Sequence, residues 1–206
     1  TAILVSGSNL LTIDGNSFIN NYKGIYLNGV AEISVTNNVF ESNSSAYPNW
    51  WPTSDTAIQI DGGTGHTISS NTISGSSDAG IRVSGDTVTI HDNMISDAGW
   101  GINIFATSSN SDAIPTNHII SNNIISGSYS QGIYLHPYAD GNTITSNTIK
   151  DGRYAGITIS ASNNNIISQN IIDNNKPESN NCEAGGCQSF AMKLHASNNN
   201  NIYDNQ

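Results

Sequence analysis

Residues 80–95 read GIRVSGDTVTIHDNMI, and this stretch decides the fold. Ile81 and Val83 alternate with polar residues, and apolar residues return at Ile90 and Ile95. Alternation over short, β-branched segments is the period of a strand and not of a helix. The stretch therefore predicts three short strands separated by bends.

The same unit, G-I-x-(I/L/V) followed by polar residues and x-I-x-x-N-x-I, recurs along the chain. Clear copies are GIYLNGVAEISVTNNVF, AIQIDGGTGHTISSNTI and GITISASNNNIISQNII. Taken in order, its asparagines lie 22, 33, 22, 30, 24, 23 and 35 residues apart: Asn16, Asn38, Asn71, Asn93, Asn123, Asn147, Asn170 and Asn205. A base period with three insertions is typical of a solenoid.

Coiling of this unit predicts an all-β fold, a right-handed parallel β-helix of about eight turns with three short strands per turn. The apolar columns form the core, with Met192 and Leu194 in the last turn. The asparagines stack as an internal ladder that satisfies backbone groups at the bends. We expect one domain over residues 1–206, as a segment of a longer chain or a subunit that stacks end to end, because uncapped strand edges associate.

The G-I-x-I strand and the Asn ladder resemble the right-handed β-helix repeat family of pectate lyases, polygalacturonases and mannuronan C5-epimerases. The resemblance covers the whole chain and implies that a sugar polymer lies in a groove across the first sheet. In the epimerases a short motif of Asp, Pro and His lies near a Tyr. HPYAD, residues 136–140, has similar residue types in a different order, which carries a role in the site to Tyr134, His136 and Asp140.

Composition excludes several partners. Sixteen acidic and six basic residues give a net charge of −10, which repels nucleic acid and anionic membranes. No apolar run is long enough to insert into a membrane. Cys182 and Cys187 in CEAGGC predict a loop disulfide, with two free thiols as the alternative, and a disulfide favours a secreted or cell-surface location.

Chemistry-bearing side chains concentrate on the outward positions of the first strand. The predicted catalytic residues are Tyr134, His136, Arg82, Lys193 and His195. A uronate lyase or epimerase must neutralise a carboxylate, remove the adjacent proton and deliver a proton. Arginine suits the first task, and His, Tyr or Lys suits the others.

Substrate binding is predicted for a further set of side chains on this face and in the loops beside it. Trp50 and Trp51 in the insertion of residues 41–56 offer rings that pack against sugar faces, or alternatively plug the side of the solenoid. The full set is Trp50, Trp51, Tyr47, Tyr26, Asp61, Asn103, Phe105, Tyr138 and Asp140. Trp100 is expected to extend the aromatic platform.

Carboxylates offer two other interpretations. A hydrolase needs two carboxyls about 5 to 10 Å apart, and Asp61 is the one acid in the outward columns, where an ion pair with Arg82 also explains it. Asp55 and Asp78 occupy equivalent positions, which is compatible with Ca²⁺, although divergence into solvent is expected. No cofactor or metal is required. His66, His91 and His118 are expected at the surface or at strand edges.

Together these patterns predict an extracellular protein that acts on a polysaccharide or surface glycan. Cleavage or modification by a lyase or epimerase ranks ahead of hydrolysis. A non-catalytic glycan-binding module, or a structural cell-surface module that forms filaments, fits the same sequence.

Overall fold

The computed structural model describes residues 1–43, 55–105, 115–176 and 189–206. Within these ranges every regular element is a short strand, and the strands form three parallel sheets. The first sheet contains β1 Ile3–Ser6, β4 Ile25–Asn28, β7 Ile58–Asp61, β10 Ala79–Val83, β13 Trp100–Ile104, β16 Ile133–Leu135, β19 Ala155–Ser160 and β22 Phe190–His195.

Each coil continues from the first sheet into a strand of the second sheet and then, where one follows, into a strand of the third. The second sheet contains β2 Thr12–Asp14, β5 Ser34–Thr36, β8 Thr67–Ser69, β11 Thr89–His91, β14 Ile119–Ser121, β17 Thr143–Thr145, β20 Ile166–Ser168 and β23 Asn201–Tyr203. The third contains β3 Ser17–Ile19, β6 Val39–Glu41, β9 Thr72–Ser74, β12 Met94–Ser96, β15 Ile124–Ser126, β18 Thr148–Lys150 and β21 Ile171–Asp173. The predicted parallel β-helix is confirmed. None of the described residues forms a helix that could cross a membrane.

The core is the set of apolar columns that the repeat predicts. In the first sheet Ile81 pairs with Ile102 and Val83 with Ile104, so equivalent residues stack from coil to coil. These four side chains are fully buried. The prediction is wrong for Leu194, which is 44% exposed, because no described residue stacks beyond it.

The Asn ladder is continuous over eight coils of the described chain. The side-chain oxygen of Asn123 accepts hydrogen bonds from the backbone nitrogen and Nδ2 of Asn93, both at 3.0 Å. Asn123 Nδ2 in turn donates to the backbone oxygen of Ile90 at 2.9 Å. Since these amides are buried, their bonds replace the water that the bend would otherwise need.

The bend before each ladder asparagine requires a left-handed residue. These residues have φ between 53° and 68°: Gly15, Asn37, Ser70, Asp92, Asn122, Ser146, Gln169 and Asp204. Glycine, asparagine and aspartate tolerate this conformation better than most residues. The polar composition of the repeat therefore follows in part from its bends.

A second ladder connects the first and second sheets, and two histidines belong to it. Nδ1 of His118 accepts a hydrogen bond from the backbone nitrogen of Val88 at 3.0 Å, and Nδ1 of His66 accepts one from Ile33 at 3.2 Å. Both rings are 1% exposed. Of the two positions expected for His66 and His118, the surface is wrong, because both rings replace amides inside the coil, and each residue directly precedes a strand of the second sheet.

Candidate functional site

The outward column of the first sheet has the register that the repeat predicts. Along neighbouring strands the paired residues run Leu4, Tyr26, Gln59, Arg82, Asn103, Tyr134, Thr158 and Lys193. Tyr26, Arg82 and Lys193 therefore lie on one side of the molecule. Strand spacing of about 4.8 Å separates successive members.

An aromatic cluster lies at the middle of this face. The Tyr134 and His136 rings have centroids 3.8 Å apart, and the His136 ring meets Phe105 edge-on at 6.4 Å. The Trp100 ring also meets His136 edge-on, with centroids 6.5 Å apart. The Arg82 guanidinium carbon lies 4.0 Å from the centre of the Phe105 ring. The register thus brings Arg82, Tyr134 and His136 into one contiguous cluster.

Burial keeps the His136 imidazole neutral at pH 7. Desolvation, together with the nearby charge of Arg82, lowers the pKa of His136 to about 4. Nε2 of His136 is buried and has no hydrogen-bond partner among the described residues. A neutral ring nitrogen with a free lone pair can accept a proton or a hydrogen bond from a ligand.

Asp78 holds Arg82 in place. Its Oδ2 lies 3.2 Å from Nη1 of Arg82 and also accepts a hydrogen bond from Thr56 Oγ1 at 3.3 Å. Burial raises the pKa of Asp78, although the Arg82 charge opposes the shift. The expected divergence of Asp55 and Asp78 into solvent is wrong, because both are buried and the backbone of Asp78 bonds to that of Asp55.

Asp61 is the centre of a neighbouring polar cluster. Its Oδ2 accepts hydrogen bonds from Tyr26 Oη at 2.9 Å and from Gln59 Nε2 at 2.8 Å. Lys23 Nζ lies 4.7 Å from the centre of the Tyr26 ring. The pKa of Lys23 is lowered by burial, against the charge of Asp61. The predicted Asp61–Arg82 ion pair is wrong, because Arg82 pairs with Asp78 and Asp61 has its own donors.

Lys193 belongs to a separate cluster near the last described coil. Its Nζ donates to Tyr154 Oη at 2.6 Å and lies 5.7 Å from the centre of the Phe190 ring. His195 pairs with Ser160 across β19 and β22 and is exposed. Thr158 separates Lys193 from Tyr134 in the outward column. Of the five predicted catalytic residues, Arg82, Tyr134 and His136 therefore cluster together, whereas Lys193 and His195 lie apart.

Several buried polar atoms on this face lack a hydrogen-bond partner within the described part of the chain. Four belong to the outward column itself, on strands β7, β10, β13 and β19, and one to His136 beside it. They are Gln59 Oε1, Arg82 Nε, Asn103 Oδ1, Thr158 Oγ1 and His136 Nε2. Buried polar atoms are normally paired with protein groups or with water, so this row is compatible with a ligand-binding surface.

The remaining predicted residues have other surroundings. Tyr138 is 49% exposed in a bend, and Asp140 Oδ1 accepts a hydrogen bond from the backbone of Asn163 at 2.6 Å. Asp140 therefore supports the bend after β16. Tyr47, Trp50, Trp51, Cys182 and Cys187 lie outside the described residues.

Metal binding has no assembled site in the part of the chain that the structure describes. No group of three or more His, Cys, Asp or Glu residues there is placed to hold an ion. The compatibility of Asp55 and Asp78 with Ca²⁺ stays a prediction.

Sequence reasoning missed Lys23 and Tyr154, and it missed the part that Asp78 plays. Lys23 and Trp100 occupy the position two residues before the first inward isoleucine of their coils. Trp100 pairs there with Ala79 and donates from Nε1 to Gln131 Oε1 at 2.6 Å. Lys23 does not follow the alternation of the outward columns, so the signal that could have found it is this shared position at the start of the coil.

Comparison with known proteins places the fold. A family model described as a right-handed beta helix region matches residues 1–114 and 53–206. A threonine-to-asparagine mutant of the periplasmic alginate epimerase AlgG is similar at a TM-score of 0.62 and 15% identity, over 95% of this chain and 50% of that chain. The unmutated epimerase is similar at a TM-score of 0.59 and 16% identity, over 93% of this chain and 50% of that chain. The chain thus spans about half the length of these enzymes. No curated protein matches the sequence.

Proposed function

The chain belongs to the right-handed β-helix family, and we propose that it binds an acidic polysaccharide on the outer face of the first sheet and modifies it there. The observation that carries this proposal is the row of buried, unpartnered polar atoms of Gln59, Arg82, Asn103, His136 and Thr158. Sugar hydroxyl and carboxylate groups supply the donors and acceptors that these atoms need. The likeness to an alginate epimerase is compatible with such a substrate.

Arg82 is the residue proposed to bind a sugar carboxylate. Asp78 and the Phe105 ring fix its guanidinium, so little side-chain freedom remains to be lost when an anion binds. Asp78 engages Nη1, and a planar guanidinium has further N–H groups, including the unpartnered Nε. Neutralising the carboxylate stabilises the carbanion-like transition state that forms when the adjacent proton leaves.

Proton transfer is proposed for His136 and Tyr134. The neutral His136 imidazole accepts the proton through Nε2, and the Tyr134 hydroxyl delivers a proton or stabilises the leaving oxygen. Epimerisation returns the proton to the opposite face of the same carbon, and elimination expels the glycosidic oxygen instead. Both reactions begin with the same step, so these residues serve either one.

A binding module without turnover is the second candidate. It is favoured by the low pKa of His136, which makes the imidazole a weak base, and by the Asp78 carboxylate, which offsets part of the Arg82 charge. In this case the same side chains would hold the glycan and perform no chemistry.

Incubation with polyuronates and neutral polysaccharides tests the proposal. Absorbance of unsaturated ends measures elimination, release of reducing ends measures hydrolysis, and exchange of the C5 proton in D₂O measures epimerisation. His136→Ala should lower turnover of a polyuronate about 100-fold or more, which is typical for the loss of an acid–base group. Tyr134→Phe should also lower it, whereas His91→Ala, at a half-buried position in the second sheet, should leave it unchanged.

The pH profile gives a second measurement on the same proteins. If His136 is the base, kcat/KM should fall as pH drops through about 4, rather than through the usual histidine value. Full activity in His136→Ala would contradict the assignment. Polyuronate binding without turnover would establish the module instead, and absence of both would contradict the whole proposal.

The location of the protein follows from the same proposal. A polysaccharide-acting protein meets its polymer outside the cytoplasm, so we place it in a secreted or cell-surface compartment. The net charge of −10 repels nucleic acid, so we do not propose nucleic acid as a partner. End-to-end self-association and a single domain over residues 1–206 stay predictions.

A further inference from the structure

A recess lies at the bend between the third sheet and the first, away from the outward column of the first sheet. Its volume is about 330 Å³, at the small end of the range for ligand sites. It is lined by Asp97, Gly127, Tyr129, Asp151, Gly152, Arg153, Asn174 and Lys176. None of these residues belongs to the site proposed above.

Gly127 leaves room for the Asp97 carboxylate in the lining of the recess. A Cβ at Gly127 would come within 2.7 Å of Asp97 Oδ1, and the φ of +65° at this residue also favours glycine. In the equivalent bend of the next coil, Asp151 has an ordinary side chain, and its Oδ1 accepts a hydrogen bond from Asn174 Nδ2 at 2.6 Å. Neighbouring coils therefore differ at this bend: one has Gly127, without a side chain, and the next has the Asp151 carboxylate.

Tyr129 forms an aromatic wall. The ring is 47% exposed, and the Arg153 guanidinium carbon lies 4.4 Å from its centre. A guanidinium packed on a tyrosine restricts the ring. A ring held in this way and accessible to solvent offers an apolar face with polar groups around it, which suits the C–H face and hydroxyl rim of a sugar.

Among the described residues that line the recess, charge is balanced although the chain is strongly acidic. The described lining holds two acidic residues, Asp97 and Asp151, and two basic ones, Arg153 and Lys176. An anionic ligand would be repelled by the two acidic side chains and a cationic ligand by the two basic ones, whereas an uncharged ligand would be repelled by neither pair. Carboxylates accept hydrogen bonds from sugar hydroxyls, and the basic side chains donate to ring and hydroxyl oxygens.

We propose that this recess is a second carbohydrate site, which holds one neutral sugar residue against Tyr129 and within reach of Asp97, Asp151 and Arg153. It goes beyond the activity proposed for the first sheet and does not depend on it. A protein with both sites would hold an uncharged glycan at this bend while its first sheet engages an acidic polymer.

Titration calorimetry with three neutral hexasaccharides, a β-1,4-glucan, a β-1,4-mannan and a β-1,4-xylan, tests this site. At least one should bind, and Tyr129→Ala and Asp151→Asn should each weaken binding tenfold or more. Tyr129→Phe keeps the ring and should retain binding. Tyr203→Ala, which removes a similarly exposed tyrosine in the second sheet, is the matched control and should have no effect.

The two sites are separated by a crossed measurement. His136→Ala should leave neutral-sugar binding unchanged, and Tyr129→Ala should leave polyuronate turnover unchanged. The inference is overturned if none of the three oligosaccharides binds or if Tyr129→Ala binds as the parent does. It is also overturned if a hexauronate binds more tightly than every neutral sugar and loses that affinity in Tyr129→Ala. Circular dichroism of each variant confirms that it is folded.

Discussion

The His118 imidazole occupies a position that asparagine fills in the following coils. The backbone nitrogen of His118 donates to Asn142 Oδ1 at 2.9 Å, and the backbone nitrogen of Asn142 donates to Asn165 Oδ1 at 2.8 Å. Nδ1 of His118 can accept the hydrogen bond from Val88 only while that nitrogen carries no proton. This ring, like that of His66, therefore couples the fold to pH, although the asparagines of the ladder do not titrate.

Stability should fall in mild acid because of this ring. Burial lowers the pKa of His118 to about 4, from about 6.5 in an unfolded chain. The unfolded state binds more protons between these values, so the stabilisation is complete above pH 6.5 and is lost as pH falls towards 4. Urea unfolding at several pH values should show this decline.

His118→Asn tests the cause directly. An amide at this position can still accept from Val88, so stability at pH 7 should change by no more than about 1 kcal/mol while part of the acid sensitivity disappears. His91→Asn, at a more exposed histidine beside Asp92, is the control and should keep the parent profile. Equal acid sensitivity in His118→Asn and the parent would contradict this account.

At the scale of the strand, glycine at the start of the G-I-x-I segment sets how closely the coils approach. A Cβ at Gly132 would lie 2.4 Å from Cγ2 of Ile149 and 2.7 Å from the backbone oxygen of Gly156. Gly101 and Gly156 meet similar atoms in their own coils. The glycine of the repeat is thus a packing requirement of the stack.

Gly132→Ala should destabilise the protein by about 1–3 kcal/mol, because a methyl group has no space between these coils. Chemical denaturation measures the difference from the parent. Ala57 has the equivalent position in β7's coil and already accommodates a methyl group, so Ala57→Gly should cost less. A Gly132→Ala protein as stable as the parent would mean that the coils can separate locally.

The strands were predictable because apolar and polar residues alternate in every copy of the repeat. Inward and outward positions, the register of Tyr26 with Gln59 and Arg82, and the Asn ladder all follow from copies of one unit. The hydrogen-bond partners of Asp78 and Asp61 were not predictable, because a column gives the neighbours of a residue but not the rotamer of its side chain. The burial of His118 was missed because periodicity marks apolar columns, and a polar ring inside a bend has no such mark.

At the scale of the molecule, the stack behaves as a one-dimensional array in which each coil is stabilised by its neighbours. Leu135 and Leu194 occupy the same column, yet Leu135 is fully buried and Leu194 is 44% exposed. Identical residues at equivalent positions therefore contribute differently to the stability of this chain.

This pair gives a matched prediction. Leu135→Ala should lower the free energy of unfolding by about 2–5 kcal/mol, the usual cost of a cavity in a packed core. Leu194→Ala should cost well under half as much, because solvent already reaches the side chain. Urea titrations of both variants measure the difference, and equal losses would mean that the last coil is packed as tightly as the middle.

The asparagine ladder also restricts how such a chain can change its length during evolution. Each ladder amide bonds to its counterpart in the next coil, so removing a single residue between Ile90 and Asn93 would shift the ladder out of register in that coil. Whole coils of 22 to 24 residues can be duplicated or lost without that damage. The solenoid is consequently expected to lengthen or shorten by whole coils. The larger spacings mark coils in which extra residues loop out and leave the asparagine ladder intact.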